Sequence, residues 1–247
     1  MAAFLMRIAV LSDIHSNLHA LEAVLTDIEG EAPDEIWCLG DVVGYGPRPN
    51  ECVDIVRERS AIVLVGNHDL AAIGKLDTSD FGPLAAESAR WTERALGAAQ
   101  ADWLRTLEPA ATRAGLELYH GSARDPVWEY VLSEEVALEN LELTSAPIVL
   151  VGHSHLALAI SWDGKRLDGG LAPAGTELGT SEARWLINPG SVGQPRDSDA
   201  RAAWLLIDIA TGRAAFRRVP YPIEETQAEM RAAGLPEDLA TRLARGV

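Results

Sequence analysis

Residues 7–15 read Arg7-Ile8-Ala9-Val10-Leu11-Ser12-Asp13-Ile14-His15. The apolar run Ile8–Leu11 is too short for a helix and suits a strand buried on both faces. It ends in Ser12, Asp13 and His15, residues that a core does not hold without partners. A helical pattern follows at once, with Leu18, Leu21, Ala23, Val24, Leu25 and Ile28 recurring at helical spacing across Asn17–Glu29. The same alternation continues with a strand at Glu35–Leu39, a helix at Pro49–Arg59 and a strand at Ala61–Val65. It predicts parallel or mixed strands with helices packed on them.

Further along, Pro83–Thr106 reads as helical with a break near Gly97, and Leu116–Tyr119 and Pro147–Val151 read as strands flanking a helix around Ser133–Leu143. The last third changes character. Leu156–Trp162, Trp185–Ile187, Ala202–Ile209 and Arg213–Val219, with turns at Asp163-Gly164 and Thr211-Gly212, predict an antiparallel meander. Gly169–Glu182 is rich in Gly, Ala and Thr and reads as a mobile loop. Two short helices split by Leu235-Pro236 close the chain. No repeat or linker divides it, so the expectation is one α/β domain over residues 1–247 with two sheets face to face. Residues 1–5 form a possible dispensable extension.

Composition narrows the function. Of the 247 residues, 47% are hydrophobic and 23% charged, ordinary values for a globular protein. The net charge of −16 is not ordinary. It repels polynucleotides at long range, whereas a local metal charge can still attract a small anion. The two cysteines, Cys38 and Cys52, form no CxxC pair and suit a reducing, cytoplasmic location. No apolar run reaches the ~20 residues of a membrane span, and the N-terminal stretch is too short for a signal peptide.

Five segments share one layout, an apolar run ending in polar residues. They are Leu11-Ser12-Asp13-Ile14-His15, Leu39-Gly40-Asp41, Val65-Gly66-Asn67-His68-Asp69, Leu118-Tyr119-His120-Gly121 and Val151-Gly152-His153-Ser154-His155. Sites in α/β sheets form beyond the carboxyl ends of strands, so these side chains converge if the strands lie side by side. In an extended chain residues i and i+2 point the same way, which pairs Asp13 with His15 and His153 with His155. Carboxylate and imidazole together suit Mn, Fe, Zn or Ni. One such Asp or His is commonly a turn or capping residue. Five of the six histidines fall in these segments, however, and that conjunction points to a metal centre. His19 lies on a helix and reads as a packed or surface residue. Trp37, Trp91, Trp103 and Trp204 read as core, and Trp128 and Tyr130 as bordering the site.

In this order the motifs DxH, GD, GNHD, a lone His and GHxH resemble the calcineurin-like metallophosphoesterase superfamily. Gly44-Tyr45-Gly46-Pro47 and Asn188-Pro189-Gly190-Ser191-Val192-Gly193 are similar to a bacterial and archaeal branch of predicted phosphodiesterases. The resemblance implies a two-sheet α/β sandwich of mixed β-sheets flanked by helices. It implies two divalent ions, one held by Asp13, His15, Asp41 and His155, the other by Asp41, Asn67, His120 and His153. A metal-bridging hydroxide would attack the phosphorus of a small phosphate mono- or diester. His68, and Asn67 beside it, would contact the substrate, with His68 assisting the leaving oxygen and Asp41 bridging the ions. Gly44 and Tyr45 stand where protein phosphatases of the superfamily carry the Asp that orients this His and an Arg that binds phosphate. Asp69, Asp197 and Asp199 are alternative orienting groups, and Arg124 and Arg196 are candidate phosphate-binding residues. A metal-dependent nuclease and a non-catalytic metal-binding scaffold are the competing readings. The acidic charge disfavours the first and the retained His68 the second.

Overall fold

The computed structural model describes residues 6–247, so the extension proposed at residues 1–5 lies outside the described residues. Strand β1 (Arg7–Leu11), helix α1 (Leu18–Glu31), β2 (Glu35–Cys38), α2 (Pro49–Arg59) and β3 (Ile62–Val63) realise the opening alternation. Helices α3 (Asn67–Ala72), α4 (Pro83–Ala95) and α5 (Ala98–Leu104) follow, then strands β4 (Ala110–Arg113) and β5 (Leu116–Tyr119), α6 (Glu134–Leu143) and β6 (Ile148–Leu150). Six more strands complete the sheets: β7 (Ala157–Trp162), β8 (Leu167–Leu171), β9 (Glu177–Gly179), β10 (Arg184–Pro189), β11 (Ala202–Asp208) and β12 (Arg213–Val219). Helices α7 (Ile223–Ala232) and α8 (Glu237–Leu243) end the chain.

Two mixed six-stranded sheets result, ordered β3-β2-β1-β11-β12-β9 and β4-β5-β6-β10-β7-β8. The alternation along β1 shows how they are layered. Ile8 and Val10 pack between the sheets with Trp37, Leu150, Ile187 and Phe216. Ala9 and Leu11 face outward onto α1 and α2 through Leu21, Val24, Ile28, Val53 and Val56. On the far side, Ala137 and Leu141 of α6 cover Val149, Leu158 and Leu186. All four apolar residues of β1 are thereby buried, as its uninterrupted sequence requires. Trp37 and Trp204 are fully buried, and Trp91 and Trp103 pack half-buried at the margins of clusters. Both cysteines are free and buried. Among the described residues no helix is long and apolar enough to cross a membrane.

Three sequence expectations change. The segment expected to be a mobile loop, Gly169–Glu182, contains the end of β8 and all of β9, one strand in each sheet. A Cβ on Gly169 would sit 2.1 Å from the Ala159 carbonyl, so its glycine serves strand pairing, which composition alone does not reveal. The expected meander divides likewise. β7, β8 and β10 lie in one sheet, with β10 between β6 and β7, whereas β11 pairs with β12 in the other. Finally, β4 forms an unforeseen hairpin with β5 across Ala114-Gly115.

One close approach ties the C-terminal third to the first motif. The amides of Val192 and Gly193 donate to the carbonyls of Ser12 and Asp13, and Asn17 Nδ2 donates to the Gly193 carbonyl. A Cβ on Gly193 would lie 1.8 Å from the Ile14 carbonyl oxygen. Gly193→Ala should therefore destabilise the protein by about 2 kcal/mol or more. Gly30→Ala, in an exposed helical position with no atom within 4 Å, should instead stabilise by about 0.5–1 kcal/mol. Denaturant midpoints of the two variants check both signs.

Candidate metal centre

The five motif segments meet at one end of the two sheets. Asp13, His15, Asp41, His120, His153 and His155 are at most 2% exposed and Asn67 is 3% exposed. The His15 and His155 Nε2 atoms lie 3.0 Å apart, and His155 Nε2 is 3.4 Å from Asp13 Oδ1. Asp41 Oδ2 lies 3.6 Å from His15 Nε2 and 3.6 Å from His120 Nε2, between two groups of ligand-type atoms. One group joins Asp13, His15 and His155, the other joins Asp41, His120 and His153, and a third set links His15 and Asp41 to His68. Asn67 Oδ1 is 3.2 Å from His120 Nε2.

Hydrogen bonds on the far side of each ring decide what these atoms can do. His15 Nδ1 faces the Val43 carbonyl at 3.1 Å, His120 Nδ1 the Leu39 carbonyl at 2.9 Å, and His155 Nδ1 the Gln194 carbonyl at 2.7 Å. A carbonyl only accepts, so each Nδ1 carries the proton, and in the neutral ring each Nε2 turns a lone pair inward. His153 is reversed: its Nε2 donates to the Trp128 carbonyl at 3.2 Å, leaving Nδ1 for the cluster. Asp13 Oδ1 and Asp41 Oδ2 are buried without a hydrogen-bond partner among the described residues. Lone pairs converge here and no donor answers them. Buried acceptors so arranged cost several kcal/mol unless a cation sits among them, and mixed carboxylate and imidazole donors fit a divalent transition metal.

The electrostatics agree. Burial, ahead of the effects of His120 and Asp41, pushes the Asp13 carboxyl up to about 7. Asp41 is raised well above the ordinary range by burial and then by Asp69. Burial holds His15, His68 and His155 well below the ordinary imidazole value and takes His153 down to about 2. Burial therefore works against charge on Asp13 and Asp41 and on the rings of His15, His68, His153 and His155.

Local backbone delivers these side chains, though not by the alternation of an extended strand. Asp13, His15, Asp41, His153 and His155 all have positive φ, between 50° and 64°. Such conformations are uncommon outside glycine and persist only where surroundings fix them. Here the amides of Asp13 and His15 donate to the Gly40 and Asp41 carbonyls, and the His153 amide donates to Asp13 Oδ2 at 3.1 Å. Asn67 and His68 do not trail a strand; they open helix α3, whose His68 amide donates to Asp41 Oδ1 at 2.9 Å. Gly66 must stay bare because a Cβ there would fall 2.1 Å from that same oxygen. Sequence reasoning missed the supporting groups. Ser12 Oγ donates to Asp13 Oδ2, Ser191 Oγ to the Asp13 carbonyl, and Asn188 Nδ2 to Gly152 O and Ser154 Oγ. The motif at Asn188–Gly193 was the available signal for two of them.

None of the three carboxylates considered for His68 orients it. Asp69 accepts from the Val43 and Gly66 amides, Asp197 pairs with Arg218, and Asp199 with Arg201. Packing holds the ring instead, with Tyr45 at 4.3 Å and His15 and Phe81 each at 4.9 Å between centroids. A Cβ on Gly44 would meet His68 Nδ1 at 2.6 Å, so the absence of a side chain at 44 is what admits the ring. Arg196 lies over the Tyr45 ring at 5.7 Å, and its Nη2 donates to Gln194 Oε1 at 2.9 Å. Arg124 is exposed and its guanidinium is taken by Glu129 and Glu139, a surface network rather than the phosphate contact expected of it. His19 packs beside Glu229, away from the cluster motifs.

The chain matches the calcineurin-like phosphoesterase superfamily domain over residues 6–212. A metallophosphoesterase from Sphaerobacter thermophilus superposes with TM-score 0.90 at 44% identity, covering 98% of this chain and 99% of that one. An uncharacterised protein of Methanocaldococcus jannaschii is 35% identical over 245 residues, 97% of this chain and 98% of that one. A protein of Pyrococcus horikoshii OT3 shares the fold, with TM-score 0.79 at 21% identity over 98% of both chains. Together with the strand-end motifs gathered on one buried cluster, these matches mean that the chain belongs to the calcineurin-like phosphoesterase superfamily.

Proposed function

We propose that the protein hydrolyses small phosphate esters at a centre of two divalent ions. The observation that carries this reading is the convergence of ligand-type atoms on Asp41 Oδ2, an oxygen that no donor among the described residues answers, with Arg196 and His68 nearby. Asp13, His15, Asp41 and His155 would hold one ion, and Asp41, Asn67, His120 and His153 the other. Mn, Fe, Zn and Ni all suit these donors. Bound ions supply positive charge for the phosphoryl oxygens and an activated water. The rest falls to the chain. Arg196 brings a guanidinium to the cluster from the loop after β10 and replaces the one that position 45 lacks. It lowers the charge cost of Asp13 and Asp41 and raises that of a protonated His15, His68, His153 or His155, which is the field that attracts a phosphate. The net charge of −16 favours a small substrate over a polynucleotide.

His68 is the proton donor to the leaving oxygen. Its Nδ1 is buried against Gly44, so Nε2 is the ring atom left to meet a ligand. Burial and Arg196 keep the free ring neutral, and the negative charge of a bound ester favours the protonated ring. His68→Ala should keep both ions and slow esters with poor leaving groups by about 10²–10⁴-fold, the range of general acid catalysis. An activated aryl ester should lose much less. His68 also lies within ligand reach of His15 and Asp41. Loss of metal on His68→Ala, or equal slowing of both esters, would make it a ligand or a clamp instead.

The second test uses pH. The Asp13 carboxyl is raised from 3.8 to about 7 in the ion-free fold. A raised folded-state value means the bound proton stabilises the fold; that contribution is full below about pH 4 and disappears as pH rises through about 7. Ion-free protein at pH 8 therefore carries buried charge that it lacks at pH 5, and a divalent ion offsets it. Saturating Mn(II) should raise the Tm of chelator-treated protein by at least about 5 °C more at pH 8 than at pH 5. Equal increments would contradict the assignment.

A further inference from the structure

Three aromatic residues stand at the edge of the cluster without a part in the proposed chemistry. Phe81 comes from the connector before α4, and Trp128 and Tyr130 from the loop between β5 and α6. Phe81 meets the His68 ring edge-on at 4.9 Å and 83°. Trp128 meets Phe81 at 5.1 Å and 71°, and lies 6.5 Å from His153. Tyr130 is stacked on His153 at 3.9 Å and 9°. An aromatic wall thus runs from the proton donor to a ligand of the second ion. None of the three rings joins a hydrophobic core cluster. Tyr130 is 43% exposed, and Phe81 and Trp128 keep part of their surface in solvent. Arg196 stands beside Tyr45 and acts on the phenols of both Tyr45 and Tyr130, so cation and aromatic surface border the same cluster.

We propose that Phe81, Trp128 and Tyr130 form a specificity subsite for a planar aromatic ring on the phosphoester. The inference rests on the phosphoesterase reading and narrows its substrate class. Because Phe81 abuts His68, the ring it receives is the one carried by the leaving oxygen. Aromatic faces offer such a ring offset-stacked or edge-on contacts, which aliphatic groups of equal bulk cannot match.

The test measures binding rather than turnover. Mn(II)-loaded protein is titrated calorimetrically with phenylphosphonate, cyclohexylphosphonate and ethylphosphonate, which share the phosphonate anchor and have no ester bond to cleave. Phenylphosphonate should bind about tenfold more tightly than the other two, the order that aromatic stacking provides. Phe81→Ala and Trp128→Ala should each reduce that preference several-fold. Equal affinity for the phenyl and cyclohexyl compounds in the unaltered protein would overturn the subsite, as would a preference that survives both substitutions. Failure of all three compounds to bind protein carrying two Mn(II) ions would instead remove the phosphoesterase reading, and the subsite with it.

Discussion

Two imidazole nitrogens 3.0 Å apart, each with its proton committed to a carbonyl on the opposite side of its ring, repel unless something positive lies near them. At the His15–His155 contact the neighbouring carboxylates do not help, because Asp13 Oδ1 and Asp41 Oδ2, when ionised, are acceptors too. The remainder of the molecule can be understood as what holds this unfavourable grouping together. Burial rules out hydration, the carbonyl bonds fix the tautomers, and the low polarizability of the surroundings magnifies every charge brought in. A structure of this kind is matched to a cation that only the completed fold can receive.

The fold supplies the grouping by strain and by close approach. β1 and β2 run parallel and end together, and their following residues turn through left-handed backbone at Asp13, His15 and Asp41. Glycines at 40, 66 and 152 let those turns crowd together, since a Cβ on any of them would press within 3 Å of a neighbouring loop. The loop of residues 190–196 then closes over the first motif from the other sheet and brings Arg196 with it. Helices α7 and α8 add a last layer. Met230, Leu239 and Leu243 cluster with Tyr45, whose ring supports both His15 and His68. The C-terminal helices therefore bear on the buried cluster through the Tyr45 ring.

Much of this was legible in the sequence, for a physical reason. A buried strand that stops at Asp or His leaves a signal that burial statistics alone can read, and four such stops, at Asp13, Asp41, His120 and His153, recur along the chain. The mixed sheets and helical layers followed from the same runs. The pairing of the later strands did not, because β8 and β9 carry Gly, Asp and Glu rather than an alternating apolar face, and only their partners make them strands. The start of α3 was hidden for a related reason: Asp69 Oδ2 accepts from the Gly66 amide at its cap, and the His68 amide of its first turn donates to Asp41 Oδ1. What orients His68 was unreadable because it is an absence, the missing side chain of Gly44, filled by rings from distant segments.

The most direct measurement of the central claim is a Mn(II) titration of chelator-treated protein followed by electron paramagnetic resonance. With Asp41 Oδ2 3.6 Å from the facing nitrogens of both His15 and His120, one carboxylate joins the two positions. The account predicts uptake of two ions per chain and the spectrum of an exchange-coupled pair about 3.5–4 Å apart. Saturation at one ion, or two ions with the spectra of isolated centres, would contradict it.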